Sequence, residues 1–328
     1  MDRLRERIFT AGNTTGFDEL ALEVFRFQYE NCEVYHEFAD ALSRSPGNVG
    51  SSAEIPFIPI EFYQSREVVS SGMKAVMEFQ SSGTTGSIPG RHLVADQGLY
   101  DLSLLGGFNF AYGDPAGYTF LALTPEPDEK PHSSLIYMIS KLMQQNKAGR
   151  HGFFLNDFEA LRKRLSGNDT APGKTILIGL TYALLDFAGK YPGEYPGLVV
   201  IETGGMKGRR REITRAELHS RLSDVFSSAV IHSEYGMTEL LSQAWSKHYG
   251  IFTPPPWMRV MVREVNDPFC WCRPGRSGGI SVIDLANLYS CSFIATQDLG
   301  RVREDGGFEV LGRFDSSDLR GCSLMIQE

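Results

Sequence analysis

Four hydroxyls and two glycines fall within six consecutive residues, Ser81, Ser82, Gly83, Thr84, Thr85 and Gly86, and Arg91-His92 follows shortly after. Short hydroxyl donors, and backbone N–H groups that glycine lets come close, are the groups that cradle a phosphate chain. A flexible Ser/Gly linker has a similar composition, yet linkers seldom resume at once with Pro, Arg and His before a helical segment. This loop is not a Walker loop, because it does not end in Gly-Lys-Ser/Thr. Three more polar clusters follow short apolar runs: Glu202-Thr-Gly-Gly-Met206, Glu234-Tyr-Gly-Met-Thr-Glu239, and Thr296-Gln-Asp-Leu-Gly-Arg301 with Gly312-Arg-Phe-Asp315. One such cluster is weak evidence of a site; four in series are specific.

The elements that must position these clusters alternate. Residues 16–42 read as a helix from Phe17, Leu20, Val24 and Phe27 at helical spacing, with Asp18 and Glu19 in its first turn. The prolines of Ile55-Pro-Phe-Ile-Pro-Ile60 demand an extended path. Apolar patterning predicts a buried helix over 95–110, a strand over 118–124, and a helix after Pro131 with Leu135, Ile136, Ile139 and Leu142 inward. Strands follow at 174–180, 198–201 and 229–232, separated by helices at 181–189 and 212–226. This alternation predicts an α/β architecture with a mainly parallel sheet, where ligands sit beyond the strand C-termini. From residue 258 the pattern changes to Gly-punctuated strands at 259–265, 279–284, 292–296 and 307–312. The expected divisions are an N-terminal helical segment (1–56), an α/β region (57–257), a β-rich subdomain (258–315) and a tail (316–328).

With 328 residues and 42% hydrophobic content, the chain can bury a sizeable core. A net charge of −8 without a basic stripe argues against nucleic acid as a partner. No apolar run approaches the roughly 20 residues that span a bilayer. The charged start, Met1-Asp-Arg-Leu-Arg-Glu-Arg-Ile8, is unlike a signal peptide, so a cytoplasmic location is expected. The five cysteines have no disulfide-scaffold spacing. Cys270-Trp-Cys272 is isolated for a metal site, and alternation would place both thiols on one strand face.

In this order the four clusters resemble the adenylate-forming superfamily of acyl-CoA synthetases and luciferase-like enzymes. Phe79-Gln-Ser-Ser-Gly-Thr-Thr-Gly86 with Arg91-His92, and the closing Asp318-Leu-Arg-Gly-Cys-Ser-Leu324, are most similar to the acyl-protein synthetase (LuxE) family within it, over about residues 57–328. The resemblance implies the large-domain fold of that superfamily, with nucleotide and acyl binding in 57–257. It implies ATP and Mg²⁺ as cofactors and a carboxylic, fatty acid as substrate. Under it, Ser81–Thr85 with Gly86 and Arg91 hold the β- and γ-phosphates, Thr238 donates to the α-phosphate, and Glu239 ligates Mg²⁺, a hard cation that prefers carboxylate oxygen. Tyr235, next to Gly236, would offer a flat face for adenine and the Gly204-Gly205 backbone would line the ring. Asp298 would accept the ribose hydroxyls, Arg313 would meet ribose or phosphate as a forked donor, and His132 would border the acyl site. Each residue has an ordinary use too: Glu239 as a helix-start acid, Tyr235 in a core, Asp298 capping a turn, His132 as a core or surface histidine. His92 is a weaker candidate.

Full-length synthetases continue past the Gly-Arg-x-Asp hinge into a lid domain with a catalytic lysine. Only residues 316–328 follow Asp315, so the lid is expected to be missing, and Arg91 or a partner subunit would supply its charge. In acyl-protein synthetases a cysteine near the C-terminus takes the acyl group, and Cys322 stands at the matching place. Its thiolate would attack the acyl-adenylate, AMP would leave, and a thioester would remain; an incidental cysteine is the alternative. The expected partner is an enzyme that reduces or accepts the acyl group. Competing readings are a ligase that uses CoA or a carrier-protein thiol, and a catalytically inactive nucleotide- or acyl-binding subunit. Replacing Thr84 and Thr85 together by Ala, or Arg91→Ala, is expected to abolish acid-dependent pyrophosphate release without lowering the melting temperature. Near-normal release in a coupled pyrophosphate assay would show the loop to be a linker.

Overall fold

The structure is a computed structural model that describes residues 2–10, 14–81, 88–166, 174–204 and 213–314. Its strands of three or more residues are β1 (Met77–Gln80), β2 (Arg91–Val94), β3 (Tyr118–Leu123), β4 (Lys174–Leu180), β5 (Leu198–Thr203), β6 (Val230–Tyr235), β7 (Ala244–Ser246), β8 (Met258–Arg263), β9 (Ser277–Asp284), β10 (Phe293–Val302) and β11 (Phe308–Arg313). Alternate residues of β3, β4 and β5 point to opposite faces, and both faces are apolar. Phe120, Ala122, Ile176, Ile178 and Ile201 share a core with Leu104 and Phe108 of the helix Gln97–Tyr112 and Ile139 of the helix Ser134–Gln145. Leu121, Leu123, Leu177 and Val200 instead meet Leu184 and Phe187 of Thr181–Lys190 and Leu222 of Arg215–Val225. Helices therefore cover both faces, and β6, β5, β4 and β3 lie side by side in parallel. Antiparallel β7 extends the sheet beyond β6.

The second large sheet runs Ile251–Phe252, β11, β10, β9, β8, all antiparallel, with Ile58–Pro59 joining β10 in parallel. A hairpin of β1 and β2 pairs Phe79 with His92 and Gln80 with Arg91. Side-chain caps set the helix starts: Asp96 accepts from the Leu99 N–H (2.9 Å) and Thr214 from the Glu217 N–H (3.2 Å).

Three local expectations need correction. The helix expected over 16–42 is two, Thr14–Asn31 and Glu33–Ala41, broken at extended Cys32 (φ −115°, ψ 102°). The Asn31 carbonyl accepts from the Ser71 N–H at 2.6 Å, a tertiary bond that takes the place of the next helical one. The helix Gln97–Tyr112 is buried on one face only, leaving Leu102 and Phe110 about half exposed. Cys270 and Cys272 are not on a strand: Trp271 makes one isolated bridge to Arg263, and Cys270 donates to Asp267. No metal-binding cluster of His, Cys, Asp and Glu occurs among the described residues, and no helix there is long and apolar enough to cross a membrane.

Gln28, fully buried on the first long helix, ties the N-terminal helices to the loop between β9 and β10. Its Nε2 donates to the carbonyls of Asn287 and Leu288 (2.9 Å each), and its Oε1 accepts from the Ser292 N–H (3.0 Å). Gln28→Leu would strand these buried backbone groups, and urea unfolding is expected to show a loss of about 3 kcal/mol.

Candidate active site

The loop from Gly236 to Gln243 joins β6 to β7 at the C-terminal edge of the parallel sheet, and buried side chains hold its backbone. Asp284, at the end of β9 and fully buried, accepts from the N–H groups of Leu241 (2.8 Å) and Ser242 (2.9 Å) and from Ser242 Oγ (2.6 Å). Asn287 Nδ2 donates to the carbonyls of Glu239 and Cys291, 2.8 Å each. That fixes its amide, so Oδ1 faces His92 Nε2 at 3.1 Å, while His92 Nδ1 lies 2.8 Å from the Thr238 carbonyl. Each ring contact is a hydrogen bond only when the nitrogen carries a proton. Burial pulls His92 down to about 4, against both oxygens, and pushes Asp284 up to about 6, against its donors. Sequence reasoning missed Asp284, Asn287 and Ser242. The available signal was two polar residues inside the otherwise apolar stretch 282–288.

Glu239 is 5% exposed, and its carboxylate meets the base of the hydroxyl-rich loop. Ser81 Oγ accepts from the Gly90 N–H (2.7 Å), and Ser81 N–H donates to the Gly90 carbonyl (2.9 Å), closing the loop's two ends on each other. A Cβ added at Gly90 would lie 2.6 Å from Glu239 Oε1 and 3.3 Å from Ser81 Oγ. Only glycine lets the acid and the loop base approach this closely. Burial pushes the Glu239 carboxyl up to about 7, opposed by the charge of Arg313 and reinforced by that of Asp298.

The two large sheets meet beside this acid. Tyr235, at the end of β6, is 7% exposed, packs edge-on against Phe308 (5.2 Å between centroids), and donates to Asp298 Oδ2 at 2.8 Å. Asp298 on β10 faces Arg313 on β11 in the ladder, and Arg313 Nε donates to Asp298 Oδ1 at 3.0 Å. The Arg313 side chain is otherwise 70% exposed, and the Asp298 charge raises its pKa. Each Asp298 oxygen already holds one donor and keeps a second lone pair.

The remaining candidates separate from this group or lie beyond the described residues. Arg91 is engaged in a bidentate pair with Glu78 (3.2 and 3.1 Å) and lies 3.7 Å from Glu67. His132 is exposed, with Nδ1 3.1 Å from the Glu78 carbonyl. Thr238 is half-buried beside Glu239, Gly236 is exposed, and Gly204 follows the end of β5 with φ +56°. Ser82, Gly83, Thr84, Thr85, Gly86, Gly205, Asp315 and Cys322 lie outside the described residues.

The chain is similar to two curated proteins named long-chain-fatty-acid–luciferin-component ligase. That of Vibrio harveyi is 25% identical over 341 aligned positions, spanning 93% of this chain and 85% of that protein, and that of Aliivibrio fischeri is 23% identical, spanning 94% and 87%. No family model matches. Among solved structures, 2-hydroxyisobutyryl-CoA ligase with 2-HIB-AMP and CoA superposes with a TM-score of 0.65 at 11% identity, covering 91% of this chain and 70% of that one. ATP-bound MatB from Rhodopseudomonas palustris gives 0.53 at 16% identity, covering 85% and 56%. O-succinylbenzoate coenzyme A synthetase from Bacillus subtilis, with ATP and magnesium ion, gives 0.54 at 14% identity, covering 73% and 50%. The fold is that of the adenylate-forming enzymes, and the chain spans about half the length of the last two.

A carboxyl held up near 7 by burial adds stability below its unfolded pKa, and that contribution is lost as pH rises through 7. The full difference is roughly 3 kcal/mol. Without divalent cations, Glu239→Gln is therefore expected to raise the melting temperature at pH 8 and leave it nearly unchanged at pH 5. Thermal melts of both proteins at the two pH values check this, and equal effects at both would place the charge in solvent.

Proposed function

We propose that this protein activates a fatty acid with ATP, forming acyl-AMP and pyrophosphate, and then passes the acyl group to a protein thiol, Cys322. The observation that carries this reading is the convergence of Glu239 on the base of the hydroxyl-rich loop at Gly90, beside Asp298 and Arg313. The likeness to two fatty-acid ligases supports the same chemistry. Nucleotide and acid bind in 57–257, the β-rich region 258–315 closes over the ribose side, and the tail 316–328 carries the acceptor.

The residues fit the nucleotide and its cation. A carboxylate only 5% exposed with a raised pKa is poorly solvated, and a hard cation with oxygen preference relieves that cost. Glu239 would hold Mg²⁺, which when bound neutralises charge on the triphosphate. Asp298, steadied by the Tyr235 hydroxyl, accepts from the ribose, and the outer edge of Arg313 donates to phosphate. Ser81 to Gly86 and Arg91 hold the β- and γ-phosphates, and Thr238 the α-phosphate, as the acid oxygen attacks and pyrophosphate leaves. In the second step the Cys322 thiolate attacks the acyl carbon, AMP departs with the bonding pair, and a thioester forms. A reducing, cytoplasmic setting keeps that thiol available, and an acyl-reducing or acyl-accepting enzyme is the partner that would collect the product.

Mass spectrometry after incubation with ATP, Mg²⁺ and a fatty-acid panel tests this. An acyl adduct on Cys322 that disappears in Cys322→Ser, with single-turnover pyrophosphate release retained, is the expected result. Acyl-CoA formation unaffected by Cys322→Ser would replace the acceptor by CoA. ATP binding without pyrophosphate release from any acid would leave a binding subunit.

A further inference from the structure

Asp298 sits where the ladder between β9 and β10 slips. Gly279 pairs with Leu299 and Ser281 with Ala295, so the single residue Ile280 stands opposite three, Thr296, Gln297 and Asp298. A bulge re-aims side chains, and it takes backbone groups out of the ladder that then need other partners. The Ile280 carbonyl accepts from Thr296 Oγ1 (2.9 Å) and from Arg263 Nη1 (2.5 Å). Thr296 Oγ1 in turn accepts from the Asp298 N–H (3.1 Å), and the Gln297 carbonyl accepts from the Phe314 N–H (2.8 Å). The Thr296 carbonyl accepts from Arg263 Nη2 at 2.6 Å. Arg263, on the neighbouring strand β8, thus donates to both strands of the bulge.

The guanidinium reaches these carbonyls from the face of the sheet turned away from Tyr235. Arg263 pairs with Gly279 and Gly279 with Leu299, so the three share a face. Asp298, next to Leu299, points the other way and accepts from the Tyr235 hydroxyl. Arg263 therefore acts on the backbone that carries Asp298, not on anything Asp298 binds. Gly279 makes room for it: a Cβ there would lie 2.7 Å from Arg263 Cζ and 3.0 Å from Nε and Nη1. Nη1 also donates to Ser281 Oγ at 3.1 Å. A planar fork can span carbonyls on two strands in fixed directions, which a lysine ammonium, a single point of charge, cannot do. Burial pulls the Arg263 pKa below its ordinary value, against the charges of Glu61 and Asp298, so a cation is kept where packing alone would favour an apolar side chain.

We propose that Arg263 is a positioning residue for ribose recognition: by locking the 296–298 bulge from behind, it fixes Asp298 at the ribose hydroxyls and gives the enzyme a preference for ATP over deoxy analogues. The inference rests on the acid-activation reading above. It gives the two guanidiniums near Asp298 different tasks. Arg313 meets the carboxylate itself, Nε to Oδ1 at 3.0 Å, and leaves the rest of its side chain exposed. Arg263 holds the main chain beneath that carboxylate and touches no ligand.

The test measures pyrophosphate release driven by dodecanoic acid with ATP, 2′-deoxyATP and 3′-deoxyATP. A hydroxyl that donates to a carboxylate is expected to favour ATP over at least one analogue by roughly tenfold or more in kcat/KM. Arg263→Lys keeps the charge but not the fork, and Gly279→Ala pushes the guanidinium off its carbonyls. Each should bring the ratio toward one by raising the KM for ATP, with kcat, the KM for dodecanoic acid and the KM for the disfavoured analogue within about twofold of the parent. In an Asp298→Asn background, Arg263→Lys should change the KM for ATP by less than about twofold, because the group it positions is gone. A ratio unchanged in both variants, whether or not total activity falls, makes Arg263 a stabilising residue only and overturns the proposal while leaving acid activation standing. Equal kcat/KM for the three nucleotides in the parent protein overturns the ribose contact of Asp298 and the proposal with it. No release from octanoic, dodecanoic or hexadecanoic acid overturns acid activation as well.

Discussion

The structure depends first on the Asp284 carboxylate. It is fully buried, and an unpaired charge or dipole there would cost several kcal/mol, so its donors are obligatory. They come from the segment that carries the site: the N–H groups of Leu241 and Ser242 and the Ser242 hydroxyl. Because Ser242 Oγ donates to Asp284, it must accept from its other neighbours, Ser103 Oγ at 2.9 Å and Trp257 Nε1 at 3.0 Å. One carboxylate thus sets the direction of a chain of hydrogen bonds joining β9, the 236–243 loop, the helix Gln97–Tyr112 and the approach to β8. Such networks stabilise only when complete, which holds in place the segment that carries Glu239.

That rigidity bears on the electrostatics. Three buried carboxyls, Glu234, Glu239 and Asp284, are pushed up by desolvation, whereas Glu202 is lowered, because the burial that would raise it is outweighed by His219, Arg215 and Ser233. Asp284 is compensated by donors it cannot lose. Glu239 has a smaller set: its own backbone N–H and the charge of Arg313 oppose the burial, and the like charge of Asp298 adds to it. A buried acid with that environment costs stability in the metal-free protein, and sites that bind ligands are where such cost is usually found. The Tyr235–Asp298–Arg313 line supplies the complementary charge from the other sheet, so the site exists only where the two sheets meet.

The fold was readable where the pattern is local. Lys174–Leu180 is a strand because it is apolar on both faces, and Pro131-His-Ser-Ser134 introduces the helix that Ser133 caps, whereas the helix expected from 212 starts after its cap Thr214. The break at Cys32 was not readable, since it follows from a bond to Ser71 that the helical spacing does not encode. The same division holds at the site. Glu239, Asp298 and Arg313 sit in compact motifs. Their supports do not: Gln28 reaches a loop some 260 positions away, and His92 meets Thr238 across 146.

The magnitudes show how loosely Arg91 is held in the hairpin. Its guanidinium is held by Glu78 in a two-point pair, which cancels much of its charge toward any third group. Both side chains are partly exposed, 46% and 28%, and an ion pair in that setting contributes only about 0.2–1 kcal/mol. A pair that weak would yield to an anion with several charges and the same forked geometry. The hairpin that frames the hydroxyl-rich loop is tied to the segment that leads into the helix Ser134–Gln145 by backbone rather than charge: the Gln80 N–H donates to the His132 carbonyl at 2.9 Å, and His132 Nδ1 lies 3.1 Å from the Glu78 carbonyl.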